Sequence, residues 1–102
     1  MEDTQLKKGI LPLCVLSSLI RKDSYGYEIT STISEELSVK SATIYLILYR
    51  FTEMGFVTSY YVEQEGKPSR KYYSITKKGR DYHKKLKDEW NDFQERARSL
   101  IQ

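Results

Sequence analysis

A chain of 102 residues has room for one small domain, and its 39% hydrophobic and 30% charged residues are typical of a folded globular protein. The longest apolar run, residues 10–16, is far shorter than the ~20 residues that cross a bilayer, and the acidic start at residues 1–3 lacks the order of a signal peptide. Because Cys14 and His83 are each alone and no phosphate loop or nucleophile motif is present, we expect a cytoplasmic protein that is not an enzyme and has no metal, cofactor or membrane partner.

The net charge of +3 is unevenly distributed along the chain. Residues 40–87 contain eleven basic and four acidic residues, whereas residues 1–39 and 88–102 each carry a net charge of −2. A basic block attracts polyanions. By charge alone, this block fits a nucleic-acid-binding surface and a merely solvated surface equally well.

The first predicted helix covers residues 6–20. Pro12 cannot donate a backbone hydrogen bond, so we expect the regular helix to start near residues 8–11 or to bend there. Cys14 should be a buried thiol that packs as a small hydrophobe. The apolar residues at helical spacing are Leu6, Ile10, Leu13, Leu16 and Ile20.

Two short helices joined by a turn are predicted next. Asp23 or Ser24 can cap the first, which runs to about residue 36 with Glu28 in its early turns. Ser41 is a good N-cap for the second, which runs to residue 53 and is ended by Gly55. Its inward face is predicted to consist of Ile44, Leu48 and Phe51. Such a pair of helices is typical of a helix-turn-helix.

A β-hairpin is predicted from residues 56–62 and 70–75, which are rich in β-branched and aromatic residues. Residues 63–69 between them contain Gly66 and Pro68 and predict a longer loop. Of the adjacent Tyr72 and Tyr73, one should face the core and the other should be exposed, because neighbouring strand residues point to opposite faces.

Thr76 is the predicted cap of a last helix over residues 77–101, a rod of roughly 37 Å. Its apolar positions are separated by four or three residues, which is close to a heptad seam and favours a second helix as partner. These positions are Tyr82, Leu86, Trp90, Phe93, Ala97 and Leu100. The expected fold is mainly α with a β-hairpin: a winged helix-turn-helix over residues 1–76 and a long C-terminal dimerisation helix over residues 77–102.

In a winged helix-turn-helix, DNA is met by the start of the second short helix and by the hairpin. Thr43 can offer its methyl group to thymine or its hydroxyl to a phosphate, and Tyr45 can reach a phosphate. The alternatives are that Ser41 only caps its helix and that Tyr45 packs under the hairpin. The predicted DNA-contacting residues are Lys40, Ser41, Thr43, Tyr45, Arg50, Lys67, Arg70 and Lys71.

Several motifs together resemble the PadR family of bacterial regulators from about residue 6 to residue 101. They are Tyr25-Gly26-Tyr27-Glu28, Thr43-Ile44-Tyr45 with Leu48 and Arg50, Gly55-Phe56-Val57, and Lys67-Pro68-Ser69-Arg70-Lys71-Tyr72-Tyr73-Ser74-Ile75-Thr76 with Gly79. The resemblance implies a homodimeric repressor that binds a palindromic double-stranded DNA operator and is released by a small molecule or a stress signal. The single C-terminal helix resembles the compact branch of the family.

The sequence departs from the family pattern at four places. The family usually has glycine where Ala42 stands, proline where Leu46 stands, and a leucine-glutamate pair where Phe51-Thr52 stands. Pro12 occupies a position that is more often acidic or polar. The departures at Ala42 and Leu46 concern the helix that is expected to select the operator.

The last helix supports a second hypothesis. In some compact relatives, a tryptophan on this helix lines a pore at the dimer interface and stacks on flat aromatic drugs. Trp90 could bind such a ligand, or it could simply fill the interface together with Tyr82, Leu86, Phe93 and Ala97. A winged-helix module that binds protein instead of DNA is a third hypothesis, which the basic block opposes.

Overall fold

A computed structural model describes residues 4–102 and confirms the predicted order of three helices, a hairpin and a long helix, as a mainly helical winged fold. Residues 1–3, which carry the expectation about a signal peptide, lie outside the described part. No helix among residues 4–102 is long and apolar enough to cross a membrane. The elements are α1 (Gln5–Arg21), β1 (Ser24–Tyr25), α2 (Gly26–Leu37), α3 (Ser41–Glu53), β2 (Val57–Gln64), β3 (Lys67–Ile75) and α4 (Lys77–Ile101).

Helix α1 begins earlier than predicted and continues through Pro12. Thr4 caps it, because its hydroxyl oxygen accepts a hydrogen bond from the Lys7 N–H at 3.3 Å. A proline inside a helix costs about 3 kcal/mol. Burial of a leucine side chain contributes about 1.5–3 kcal/mol, and Leu11 and Leu16 are both fully buried. The start expected near residues 8–11 was wrong, since α1 begins at Gln5 under the Thr4 cap and Pro12 lies inside it, and the alternative of a bend at Pro12 stays a prediction.

The start of α2 also differs from the prediction. Ser24 and Tyr25 are extended and pair with Tyr73 and Tyr72 of β3, so neither Asp23 nor Ser24 is the N-cap. Tyr25 occupies that position, and its N–H donates to the carboxylate of Glu28 at 3.2 Å. The early position of Glu28 is thus confirmed, although the capping residue is not the predicted one.

Helix α3 follows the predicted pattern closely. Ile44, Leu48 and Phe51 are its buried residues, as predicted. The N-cap is Lys40, whose carbonyl accepts from the Thr43 N–H at 3.1 Å, and Ser41 is the first helical residue instead of the cap. Gly55 has a φ of +79°, which confirms a left-handed residue just after this helix.

The hairpin strands are longer than predicted, and only Glu65 and Gly66 connect them. The expected loop over residues 63–69 was wrong because Pro68 lies within β3, where the register shifts between Val62 and Gln64. Proline is tolerated in strands at such bulges. The strand order is β1-β3-β2, so the tip of the hairpin projects beyond the short β1.

Helix α4 starts against the base of the hairpin. Thr76 caps it by accepting from the Gly79 N–H at 3.0 Å, and the same hydroxyl donates to the Gly55 carbonyl at 2.7 Å. Phe56 stacks on Tyr82 with ring centroids 4.3 Å apart. Gly79 lies directly against the Phe56 carbonyl, and a side chain there would overlap that oxygen. A glycine is therefore needed for α4 to approach the hairpin this closely.

We predict that Gly79→Ala lowers the free energy of unfolding by about 1–3 kcal/mol, because the neighbouring atom is a backbone carbonyl that cannot move aside by a side-chain rotation. Gly9→Ala is the matched control, since a Cβ built on Gly9 meets open space among the described residues. It should raise stability by up to about 1 kcal/mol through helix propensity. Urea unfolding of both variants at one protein concentration measures the difference, and equal stability would contradict the close approach.

Candidate nucleic-acid interface

The exposed side of α3 is an apolar and aromatic stripe. Because Ile44, Leu48 and Phe51 face the core, positions 42, 45, 46 and 49 fall on the opposite side of the helix. We call these residues, Ala42, Tyr45, Leu46 and Tyr49, the α3 stripe, and all four are exposed. Arg50 is exposed beside the stripe, and Lys40 stands at the N-cap.

Tyr45 is not a core residue, as the alternative of an aromatic ring packed under the hairpin required. It is 43% exposed, and its ring lies over Gly26 at the start of α2. A Cβ on Gly26 would come within 2.7 Å of Cε1 of Tyr45. The glycine in the Tyr25-Gly26-Tyr27 motif therefore makes room for an aromatic ring of α3, which fixes that ring on the outer side of the helix.

The three cations of the hairpin lie in different environments. Lys67 is exposed at the start of β3. Lys71 is also exposed, with its Nζ 5.5 Å from the ring centroid of Tyr73. Arg70 is partly buried. Two carboxylates share the hairpin, and Glu63 accepts from the Ser69 hydroxyl at 3.1 Å, so the hairpin itself has a net charge of only +1.

Arg70 lies at one end of a row of tyrosines that sequence reasoning did not find. Its guanidinium carbon is 4.4 Å from the ring centroid of Tyr25, and Tyr25 in turn is 5.5 Å from Tyr72. Tyr72 stacks on Tyr60 at 5.8 Å. The prediction that Tyr72 or Tyr73 faces the core is confirmed for Tyr73, but Tyr72 is partly buried by this row instead of exposed.

The far end of the tyrosine row is closed by a carboxylate. The Tyr60 hydroxyl donates to Asp23 at 2.7 Å, and this hydrogen bond to a carboxylate raises the pKa of Tyr60. The sequence could have predicted that Tyr60, Tyr72 and Arg70 lie on one face of the hairpin, because Tyr72 and Arg70 are two residues apart on one strand and Tyr60 is on the paired strand. The short strand β1, which places Tyr25 beside Tyr72, had no local signal.

The basic block of the sequence is divided in space. The cations of α4 follow the base of β3, whereas Lys67 stands near its tip, and a strand of nine residues spans roughly 25–30 Å. Part of the α4 charge is also paired within the helix. Lys77 lies 3.3 Å from Asp81 and Lys84 lies 2.8 Å from Asp88, which raises the pKa of Lys84. The value of +7 over residues 40–87 therefore overstates the positive charge near α3.

Helix α4 packs across α1 through its first half. Tyr82 and Leu86 pack against the core, and His83 Nε2 lies 2.9 Å from the Ser17 hydroxyl. Burial lowers the pKa of His83, and Lys87 lowers it further. Trp90 is partly buried and lines grooves on both sides of Leu13. Its ring centroid is 6.3 Å from that of Phe93.

The second half of α4 carries exposed apolar residues. Phe93 is 59% exposed and Leu100 is 85% exposed, while Ala97 between them is partly buried. Leu6 at the start of α1 is exposed as well. The predicted seam of α4 therefore has two parts: Tyr82 and Leu86 contact the chain's own core, and the seam beyond Trp90 is open.

The last two features of the site are the Cys14 thiol and the capacity for metal binding. Cys14 is partly buried beside the core, and burial raises its pKa, which favours the neutral thiol. Among residues 4–102, no three His, Cys, Asp or Glu side chains form a group that could hold a metal ion.

Comparison with known proteins finds relatives in both sequence and structure. The profile of the transcriptional regulator PadR-like family matches residues 15–85. A transcriptional regulator from Clostridium thermocellum has a similar structure, with a TM-score of 0.85 and 30% identity over 100% of both chains. An uncharacterized protein of Lysinibacillus sphaericus is 32% identical over 99 residues, which cover 93% of this chain and 91% of that protein.

Similarity also extends to the negative transcriptional regulator PadR of Bacillus subtilis. Its sequence is 35% identical over 75 residues, which cover 70% of this chain but only 41% of that protein. The structure of that protein in complex with operator DNA gives a TM-score of 0.67 at 31% identity, over 74% of this chain and 45% of the other. This chain therefore matches less than half of the length of that regulator.

Proposed function

The chain belongs to the PadR-like family of transcriptional regulators, which are not enzymes, and we propose that it is a homodimeric, sequence-specific repressor released by a small-molecule or stress signal. The single observation that carries this proposal is the position of the exposed α3 stripe beside a wing, β2–β3, that bears Lys67, Arg70 and Lys71. The Bacillus subtilis relative has been crystallised with operator DNA and is a negative regulator, which supports both the DNA partner and repression.

In this proposal α3 enters the major groove of a pseudo-palindromic operator. Thr43 and Tyr45 meet base edges or phosphates near the start of the helix, where this geometry brings a recognition helix closest to DNA. Lys67, Arg70 and Lys71 contact phosphates from the wing. Lys40, Ser41 and Arg50 support them along the backbone, and residues 1–76 form the DNA-binding part.

We expect Lys67→Ala with Arg70→Ala to weaken binding to every DNA sequence alike and to lower the salt dependence of binding. Each lost phosphate contact should reduce the slope of log K against log salt by about 0.9. Fluorescence anisotropy with the DNA upstream of the chain's own gene, at several salt concentrations, measures both effects.

Arg80→Ala with Lys85→Ala is the matched control, because it removes the same charge from exposed positions on α4 at the base of the hairpin. It should leave the slope nearly unchanged. If both double variants lowered the slope equally, binding would depend on total charge and the proposed role of the wing would fall.

The open part of the α4 seam supports the homodimer. Phe93, Ala97 and Leu100 recur at steps of four and three residues and leave two large apolar side chains in water. Large exposed apolar patches in small proteins mark interaction sites. A second copy of α4 would cover this surface by heptad packing, and residues 77–102 are therefore the proposed dimerisation part.

We predict that Phe93→Glu with Leu100→Glu converts the protein from a dimer to a monomer, because it places two carboxylates in the proposed apolar interface. Sedimentation equilibrium gives the mass directly. Asn91→Glu with Ser99→Glu adds the same charge at exposed positions of α4 outside the seam and should remain a dimer. A wild-type chain that still sediments as a monomer at about 100 µM, the Kd of a weak dimer, would rule out this interface.

A second candidate function is the binding of a flat aromatic ligand at the dimer interface. It is favoured by Trp90, which lines grooves on both sides of Leu13 of α1 and lies next to Phe93. Glu89 lines one of these grooves together with Trp90 and favours a cation there.

We expect the planar cation proflavine to bind the wild-type dimer and to lose at least about fivefold in affinity in Trp90→Ala, since stacking on one aromatic ring contributes about 1–3 kcal/mol. Fluorescence polarisation of the dye measures binding, with anionic fluorescein as the charge control. Equal affinity of the wild type and Trp90→Ala would assign Trp90 to packing alone.

A further inference from the structure

The α3 stripe is unusual for a surface that selects a DNA sequence, because it contains no charged side chain and no amide. Ala42 and Leu46 present only methyl and methylene groups, and Leu46 is 47% exposed. Tyr45 and Tyr49 present phenol rings. Side chains that pair with guanine or adenine through two hydrogen bonds, namely arginine, lysine, asparagine and glutamine, are absent from these four positions.

The major groove offers one apolar group to such a surface. Each base pair shows a pattern of donors and acceptors, and only thymine adds a methyl group, at C5. Contact between this methyl and an apolar side chain removes both from water without leaving a polar group unpaired. A cytosine at the same place would instead present an amino group that an aliphatic side chain cannot satisfy.

The position of the stripe decides which of its residues can reach the groove floor. Tyr45 is held over Gly26, so its ring leans toward α2 at one edge of the stripe. Ala42 and Leu46 are one helical turn apart and share the same face in the N-terminal half of α3, the end that meets base edges in this geometry. Arg50 lies to one side of this face, one turn after Leu46.

We propose that Ala42 and Leu46 determine operator specificity by reading thymine methyl groups in each half-site. This inference rests on the proposed function, since it requires α3 to enter the major groove. An exposed Leu-Tyr stripe could also bind a protein partner, but the cations of the neighbouring wing and the family membership favour DNA. The protein alternative is therefore an outcome of the test.

The test uses the full chain and the DNA duplex that this chain selects from a library of random sequences. Each thymine of one half-site is replaced singly by deoxyuridine, which removes only the C5 methyl group. We expect a loss of about three- to tenfold in affinity at one or two positions, the size of a single buried methyl contact. Leu46→Ala should lose a similar factor on the thymine duplex and should no longer respond to deoxyuridine at its own position.

Met54→Ala is the matched control, because Met54 is an equally exposed apolar side chain at the other end of α3, with the same exposed fraction of 47%. It should keep both the affinity and the deoxyuridine response of the wild type. Leu46→Asn tests for a changed preference, since an amide side chain pairs with adenine through two hydrogen bonds. When the selection is repeated with this variant, the selected duplex should carry adenine where the wild type selects thymine.

The outcomes separate this inference from the proposed function. An enriched duplex whose affinity is insensitive to every deoxyuridine substitution overturns thymine reading and leaves the DNA-binding regulator intact. Full affinity of Leu46→Ala for DNA would also overturn it and would leave the stripe to a protein partner. If the chain enriches no sequence at all, both the inference and the proposed function fall.

Discussion

The structure depends on the junction at which the end of α3, the base of the hairpin and the start of α4 meet around Phe56. Its N–H donates to the Phe51 carbonyl at 2.9 Å, and its own carbonyl accepts from the Thr76 N–H at 3.0 Å. Gly79 then presses α4 against that same carbonyl. Because three elements meet at the backbone of this one residue, the angle of the wing to α3 and the direction of α4 are set together. The geometry of any surface that α3, the hairpin and α4 form in pairs therefore depends on this contact.

Features that depend on a few neighbouring residues could be predicted from the sequence, and features that depend on distant partners could not. The buried face Ile44, Leu48 and Phe51 follows from helical spacing alone, and the Thr76 cap follows from one side chain and a nearby N–H. Strand β1 has only two residues and exists because β3 pairs with it, about fifty residues later. The extended hairpin was missed for a similar reason, since Pro68 suggests a loop until a bulge accommodates it.

The distribution of charge in the fold was the property that the sequence predicted least well. A block of eleven cations suggests one positive surface, but the fold divides it among α3, the wing and α4, and carboxylates lie beside the cations of the wing and of α4. Phosphate attraction near α3 therefore depends on a few side chains instead of on a broad field. A surface with so little general attraction needs directional or apolar contacts to select its site, and the α3 stripe supplies aromatic and aliphatic groups.

Two consecutive residues, Tyr25 and Gly26, connect the wing to α3. The backbone of Tyr25 pairs with β3 and starts α2, while its ring lies under the guanidinium of Arg70. Gly26, the next residue, holds the ring of Tyr45 from α3. A shift of α2 would therefore move a wing cation and an exposed residue of α3 at the same time.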